Sequence, residues 1–193
     1  MVDGSVDIID TITVEGDVRL ILCDGAKLTT KNICVNEDNT FSVYGQSGNT
    51  GSLTSRISHN TAPGIGGGRF KNGGNINLYG GIVYAQRGKE GAGIGGNASC
   101  GHGGTVRIYG GTVTAVGGTE NGAGIGGGGW DQSYTKGPYG GNGADVVVRG
   151  GIVTATGGGS APSIGAGGSS NNHGSFSTGE NGSAVIFASA LGD

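Results

Sequence analysis

The sequence predicts an all-β solenoid in which short strands stack coil upon coil. Three observations predict it. The first two are that a unit of two short strands and a glycine motif recurs at a solenoid spacing, and that apolar residues alternate within the strands. The third observation is composition, because 48 of the 193 residues are glycine, whereas average usage is about 7%. Glycine costs about 1 kcal/mol per helical site relative to alanine, which excludes a helical bundle.

The repeated unit joins two strands at a Gly-Gly corner and follows them with a Gly-Ile-Gly motif. Its copies occupy residues 76–85 with 91–96, 106–115 with 122–127, and 146–155 with 163–165, and a partial copy begins at 64–66. The motif isoleucines are Ile65, Ile94, Ile125 and Ile164. Their spacing is typical of solenoids and predicts coils of about 30 residues, each with three short strands that form parallel sheets with the next coil.

All the variation in length falls in one connection of each coil. The stretch from the first strand to the next motif isoleucine is nearly constant, as residues 76–94, 106–125 and 146–164 show. The stretch from that isoleucine to the next strand is similar in 65–76 and 94–106 but much longer in 125–146. We call the connections that follow Ile65, Ile94, Ile125 and Ile164 the variable loops. Insertions confined to one face of a solenoid often mark its binding face.

Alternate residues of the strands are apolar and are predicted to point inward. This inward set is Ile76, Leu78, Val83, Ala85, Val106, Ile108, Val113, Ala115, Val146, Val148, Val153 and Ala155. The Gly-Gly corners are expected to provide tight bends or positive φ, which glycine adopts without steric cost. The strands and corners therefore predict a closed coil around an apolar core.

Residues 1–55 lack the glycine motif but continue the alternation. It runs through Val18, Leu20, Leu22, Ala26, Leu28, Ile33, Val35, Phe41 and Val43. We interpret residues 1–55 as an N-terminal cap and the first coils, and residues 56–193 as the glycine-rich coils of the same continuous domain. A last strand is expected to open at Ala184.

The charge and the apolar content exclude some classes of partner, and the cysteines are few. With 11 basic and 14 acidic residues the net charge is -3, and no basic cluster predicts a nucleic-acid partner. The longest apolar stretch is far shorter than the roughly 20 residues of a membrane-spanning helix, so no membrane insertion is expected. The start lacks the pattern of a secretory signal, and we expect a domain from a longer chain. The cysteines Cys23, Cys34 and Cys100 predict small buried residues, and a Cys23–Cys34 bridge is conceivable.

These motifs resemble a known type of module. Residues 18–28, residues 41–48, and the later Gly-Gly-Thr-Val-Thr-Ala and Gly-Ala-Gly-Ile-Gly-Gly-Gly runs are similar to glycine-rich β-helix modules of large secreted or cell-wall proteins from anaerobic bacteria. The resemblance covers nearly the whole chain. It implies a right-handed parallel β-helix related in shape to pectate lyases, a secreted or cell-surface location, and surface or carbohydrate binding. It supplies no catalytic motif.

The variable loops hold many of the aromatic residues. An aromatic ring packs on the apolar side of a pyranose while adjacent polar groups bond its hydroxyls, so exposed loop aromatics suit sugar binding. The predicted ligand-binding residues are Trp130, Asp131, Tyr134, Tyr139, Phe70 and His102. The alternative interpretation is that the rings fold back over the coil and cover the edges of its core.

Tyrosines are also predicted on the outer faces of the strands. Tyr79 and Tyr109 occupy equivalent outward positions in successive coils, so their rings are expected about 4.8 Å apart as a stacked ladder. Tyr84 lies in another outward column, ahead of Thr114 and Thr154. Such ladders stabilise a stack of coils, and the alternative is an extended glycan that runs along them.

Acidic residues provide weak candidates for catalysis or metal binding. Glu90 and Glu120 precede successive motifs and are the one acid pair that the repeat brings near each other. Asp145 falls in a match to a calcium-binding nonapeptide, but the equivalent residues are Thr105 and Asn75, so tandem carboxylates are missing. We therefore expect no cofactor, and Asp145 is the candidate ligand of the alternative, a calcium ion.

The leading hypothesis is a non-enzymatic, adhesin-like module that binds a polysaccharide or glycoprotein surface. One alternative is a β-helix polysaccharide lyase or glycoside hydrolase, which needs acids that converge in a groove. The other is a structural spacer or fibre subunit whose terminal strands associate end to end.

Overall fold

The computed structural model of the chain describes residues 1–56, 61–86, 89–98, 101–130 and 140–168, and the backbone of residues 184–186. These residues form strands joined by turns and loops, with no helix among them, and every strand pair is parallel. The described part of the chain accordingly contains no helix suited to crossing a membrane. The expected parallel β-helix is confirmed.

The strands follow the repeat along the chain. They are β1 (Ser5–Thr13), β2 (Asp17–Leu22), β3 (Lys27–Cys34), β4 (Thr40–Gly45), β5 (Ser52–Arg56), β6 (Ile65–Gly66), β7 (Asn75–Leu78), β8 (Ile82–Gln86), β9 (Ile94–Gly95), β10 (Thr105–Ile108), β11 (Thr112–Val116), β12 (Ile125–Gly126), β13 (Asp145–Val148), β14 (Ile152–Thr156), β15 (Ile164–Gly165) and β16 (Ala184–Ile186).

Two sheets run the length of the solenoid. Sheet A has the order β16-β13-β10-β7-β4-β2, with one strand from each coil. Sheet B has the order β14-β11-β8-β5-β3-β6-β9-β12-β15, and β1 pairs with β3. Strand β3 joins the two parts of sheet B, because the first half of β3 pairs with β5 and the second half of β3 pairs with β6. Sheet B therefore comprises two ladders, which with sheet A give three strands per coil from the third coil onward.

The coils lengthen along the chain. Residues that pair from strand to strand across sheet B mark the same position in successive coils, and one such series is Ser5, Lys27, Ser52, Ile82, Thr112 and Ile152. The third and fourth coils match the expected period of about 30 residues, whereas the first two are shorter and the fifth is longer. The early coils are shorter because β1 and β3 each run across both ladders of sheet B without a loop between them.

The core is the apolar interior of these coils. From Ala26 to Ile125 the residues expected to point inward are buried, and Ile33, Leu53 and Ile76 are fully so. Both ends of the stack are more open. On β2, at one end of sheet A, Val18 is 37% exposed, and the expected inward residues of β14, at one end of sheet B, are only partly buried.

The two cysteines within the described residues are free thiols, Cys23 buried and Cys34 partly buried. The bridge between them that the sequence made conceivable is therefore absent. Burial of the Cys34 thiol raises its pKa, as expected for a small apolar residue at the edge of a core. Cys100 lies outside the described residues.

The Gly-Ile-Gly motif has a steric origin. Its second glycines, Gly66, Gly95, Gly126 and Gly165, have φ between 131° and 147°. A Cβ on any of the first three would collide with the carbonyl oxygen of the equivalent glycine in the next coil. These positions therefore tolerate no side chain, and we call the four residues the glycine column. At the Gly-Gly corners, Gly81, Gly111 and Gly151 have φ of 82°, 84° and 87°, a conformation that favours glycine by itself.

Candidate functional site

The outer surface of sheet A is a regular grid, because its strands pair without a register shift. One outward column contains Asp17, Thr40, Asn75, Thr105 and Asp145. The second contains Arg19, Ser42, Asn77, Arg107 and Val147. The third contains Ile21, Tyr44, Tyr79, Tyr109 and Arg149. We call these three columns the tyrosine face.

Three tyrosines stack along the third column. The ring centroids of Tyr44 and Tyr79 are 4.5 Å apart with planes 3° from parallel. Those of Tyr79 and Tyr109 are 4.7 Å apart with planes 6° from parallel. Each ring thus follows the spacing of the coils that carry it. Tyr44 is an additional member that the repeat analysis left out, because its coil lacks the glycine motif on which the copies were aligned.

Stacking decides what the tyrosines can offer a ligand. Tyr79 has a neighbouring ring on each face, yet it remains 41% exposed. A sugar ring therefore has no free face of Tyr79 to pack on, and meets ring edges and hydroxyl groups instead. Desolvation against its neighbours raises the pKa of Tyr79, and the adjacent Tyr44 and Tyr109 raise it further. At neutral pH the hydroxyl of Tyr79 is a protonated hydrogen-bond donor and acceptor.

Polar side chains beside the ladder are tied to one another between coils. Asn77 Nδ2 donates to Ser42 Oγ at 3.4 Å, and Asn75 Nδ2 donates to Thr40 Oγ1 at 3.5 Å. In the first coil the Arg19 guanidinium forms an ion pair with a carboxylate of the same strand at 3.4 Å. The first two contacts join neighbouring coils and the third lies within one strand, so several hydroxyl, amide and guanidinium groups of this face already have partners on the surface.

Tyr84 occupies the outer face of sheet B instead. Its strand neighbours in the column are Thr54 and Thr114, so no aromatic ring adjoins it in register. The Tyr84 hydroxyl donates to Gln86 Oε1 at 2.9 Å. Tyr84 thus points outward like Tyr79, but its neighbours in the adjacent coils are threonines and not tyrosines.

The first variable loop presents an aromatic side chain in a strained backbone conformation. Phe70 has a φ of 62°, is 51% exposed, and has the Arg69 guanidinium carbon 4.7 Å from its ring centroid. Left-handed backbone is unfavourable for a residue with a bulky side chain. The loop therefore holds this ring at the surface against its backbone preference.

The other predicted loop residues differ in their surroundings. Trp130 is partly buried, and its Nε1 atom is buried, so part of the indole lies against the coil. Asp131, Tyr134 and Tyr139 lie outside the described residues, and their predicted role in binding stays a prediction.

His102 links successive variable loops. Its Nδ1 accepts the backbone N–H of Asn142 at 2.9 Å, and its own backbone N–H donates to Asn72 Oδ1 at 3.3 Å. Asn72 in turn donates to Glu37 Oε2 at 3.0 Å in the coil before. An imidazole that accepts at Nδ1 in its neutral form carries its proton on Nε2. His102 thus braces successive coils, and Nε2 is the ring atom that it can offer a ligand.

The structure gives the two candidate acids different surroundings. Glu90 is buried, with 6% of its surface exposed. Glu120 is exposed and forms an ion pair with Lys89 at 3.9 Å. The Glu120 backbone N–H donates to the Lys89 carbonyl, so the two acids lie close along the backbones of neighbouring coils. Their side chains nevertheless differ, since one carboxylate is enclosed and the other lies at the surface.

Asp145 is the first residue of β13, in the first column, and is exposed. Its register partner Thr105, and beyond it Asn75, bring no second carboxylate to it. Within the described residues, no group of three or more His, Cys, Asp or Glu side chains is placed to hold a metal ion.

Comparison with known proteins supports the repeat. A family model described as Beta helix repeat matches residues 72–98 and residues 106–129. These segments contain strands β7 to β9 and most of β10 through β12. No curated protein and no solved structure matches the chain. The matched segments and the parallel strands of the described residues agree on a repeated β-helix fold.

Proposed function

We propose that this protein is a non-enzymatic carbohydrate-binding module of a secreted or cell-surface protein, and that it binds through the tyrosine face. The observation that supports this most is the stack of Tyr44, Tyr79 and Tyr109 on an otherwise largely polar outer sheet. Because the rings stack nearly parallel and in register, we expect their hydroxyls to follow one another at about the coil spacing. An extended polysaccharide presents its own hydroxyls at regular intervals along a straight chain, and so fits such a row.

The flanking columns favour the same ligand class. Amide and hydroxyl side chains, such as Asn77 in the second column and Asn75 and Thr105 in the first, lie on the same face and are partly exposed. Hydrogen bonds from preformed groups need little side-chain ordering on binding, which lowers the entropic cost. A rigid, polar, linear surface therefore supports binding of a linear, polar polymer.

The enzymatic alternative receives less support from the same geometry. It needs acids that converge on a bound sugar, whereas Glu90 is buried and Glu120 is paired with Lys89. The proposed role is thus retention at a glycan surface, and the proposed location outside the cell rests on the resemblance of the motifs to secreted modules.

Affinity electrophoresis through gels that contain single polysaccharides, neutral and acidic, tests the proposal. We expect at least one polymer to retard the wild-type protein, Tyr79→Ala to abolish that retardation, and Tyr84→Ala to preserve it. The Tyr84 variant removes the same atoms from the other sheet and serves as the matched control. Thermal melting of each variant establishes that it is folded at the temperature of the gel.

A Trp130→Ala/Tyr134→Ala variant separates the two predicted surfaces. Retardation unchanged in this variant and lost in Tyr79→Ala places binding on the tyrosine face. The reverse result assigns binding to the variable loops and overturns the site proposed above, and no retardation by any polymer overturns the function.

A further inference from the structure

The charge on the tyrosine face differs from that of the whole chain. The protein carries a net charge of -3, yet in coils two to five the second and third columns contain two charged residues, Arg107 and Arg149, and no acid. Arg19 in the first coil is already paired with Asp17. Positive charge on this face therefore concentrates where the tyrosine ladder ends.

The register places the two arginines within reach of a common ligand group. Arg107 lies opposite Val147, and Arg149 comes two residues after Val147, directly beyond the end of β13. Diagonal neighbours on adjacent strands are about 7–8 Å apart, a separation that long side chains span. Tyr109 lies on the Arg107 strand beside Arg149 and completes a triangle of two guanidinium groups and one phenol.

Arg107 has its charge available for a ligand. It is partly buried between its column neighbours and takes part in no ion pair among the described residues. The nearest acid of the face is Asp145, diagonal to Arg107 on the other side of Val147.

We propose that the ligand of the tyrosine face is an anionic glycan, and that Arg107 and Arg149 bind its carboxylate or sulfate group. This inference rests on the proposed carbohydrate binding. Guanidinium groups form paired, charge-assisted hydrogen bonds to planar carboxylates and to sulfate oxygens, which lysines and amides do not reproduce. The Tyr109 and Tyr79 hydroxyls then contact the neutral part of the same chain.

Four single variants test the charge without disturbing the stack. Arg107→Gln and Arg149→Gln remove one positive charge each, and glutamine resembles the Asn77 that precedes Arg107 in its column. Asp145→Asn removes the acid and reproduces the Asn75 of the same column. Lys31→Gln removes an exposed positive charge from β3 in sheet B and is the matched control.

Affinities are measured by isothermal titration with a carboxylated, a sulfated and a neutral polysaccharide at two salt concentrations. We expect tighter binding of an anionic polymer, with affinity that falls as salt rises. Arg107→Gln and Arg149→Gln should each weaken it about tenfold or more. Asp145→Asn should strengthen it, and Lys31→Gln should leave it unchanged. The carboxylated and sulfated polymers separate the two sources of negative charge.

The outcomes distinguish this inference from the function on which it rests. Equal, salt-independent binding of the neutral polymer, with wild-type affinity in both arginine variants, overturns the anionic ligand and leaves carbohydrate binding in place. Equal weakening by Lys31→Gln also overturns it, because a diffuse effect of net charge then explains the preference. Failure of all three polymers to bind overturns both.

Discussion

The glycine column and the ladder of Tyr44, Tyr79 and Tyr109 lie on the same solenoid but differ in whether they accept a side chain. At Gly95 and Gly126 a Cβ would collide with the carbonyl oxygen of the next coil. At Tyr79 and Tyr109 a large ring fits and stacks at 4.7 Å on its neighbour. The difference arises because backbones of successive coils meet closely at the glycine column, whereas the ladder points outward from an extended strand. The column therefore specifies the scaffold, and the outward positions are free to carry function.

The largest effect is expected from a change in the glycine column. Gly126→Ala adds a methyl group where φ is 142° and where the Gly165 carbonyl occupies the space. We expect at least several kcal/mol of destabilisation, or failure to fold, because both backbone strain and a collision with main chain oppose it. Urea denaturation followed by circular dichroism measures it.

Gly25→Ala separates the two causes. Gly25 has a positive φ of 76° but no atom within 4 Å of an added Cβ. Only strain of about 1–2 kcal/mol is therefore expected. If Gly126→Ala is no more damaging than Gly25→Ala, the collision between coils is not what selects glycine in the column.

A smaller effect is expected from the ladder. Tyr79→Ala removes two ring contacts, each worth about 0.5–1.5 kcal/mol, and should lower the free energy of unfolding by about 1–3 kcal/mol. Tyr79→Phe keeps both contacts and should remain within about 0.5 kcal/mol of the wild type. The same denaturation measurement tests both variants. A Tyr79→Phe loss as large as that of Tyr79→Ala would assign the stability to the hydroxyl and contradict the role of stacking.

The smallest effect has an unusual sign. Phe70 has a φ of 62°, so glycine at this position should be more stable than alanine, which retains the left-handed strain, by about 1 kcal/mol. At ordinary positions glycine is the less stable of the two. Comparing the melting temperatures of Phe70→Gly and Phe70→Ala checks this order, and a higher melting temperature for Phe70→Ala would show that the loop relaxes at no cost.

The sequence predicted the fold where its information is local. Alternation in residues 76–85 and 106–115 identifies strands because successive side chains of a strand face opposite sides. The sequence analysis did not include Tyr44 in the tyrosine stack, because Tyr44 lies one coil before Tyr79, in a coil without the glycine motif. The sequence analysis did not predict that β1 and β3 are each one continuous strand spanning both strand ladders of sheet B. The later coils have a loop at this point, and its absence from the first coils leaves no repeated signal in the sequence.

The candidate site was less accessible to sequence reasoning than the fold. Glu90 and Glu120 both precede the glycine motif, but their spacing does not encode that one is buried and the other is exposed beside Lys89. The Tyr79–Tyr109 stack was predictable because both residues follow the same strand of the repeat. The bonds of His102 to neighbouring loops depend on how loops of unequal length meet, and no periodic signal encodes that.

The central claim is that the hydroxyl row of the tyrosine face contacts a glycan, and Tyr79→Phe tests it most directly. This variant removes one hydroxyl and leaves the stack, the charge and the fold. Titration with the polysaccharide that binds wild-type protein should give an affinity about fivefold or more lower for Tyr79→Phe, as loss of one hydrogen bond implies, and an unchanged affinity for Tyr84→Phe. Wild-type affinity in both variants would contradict the claim.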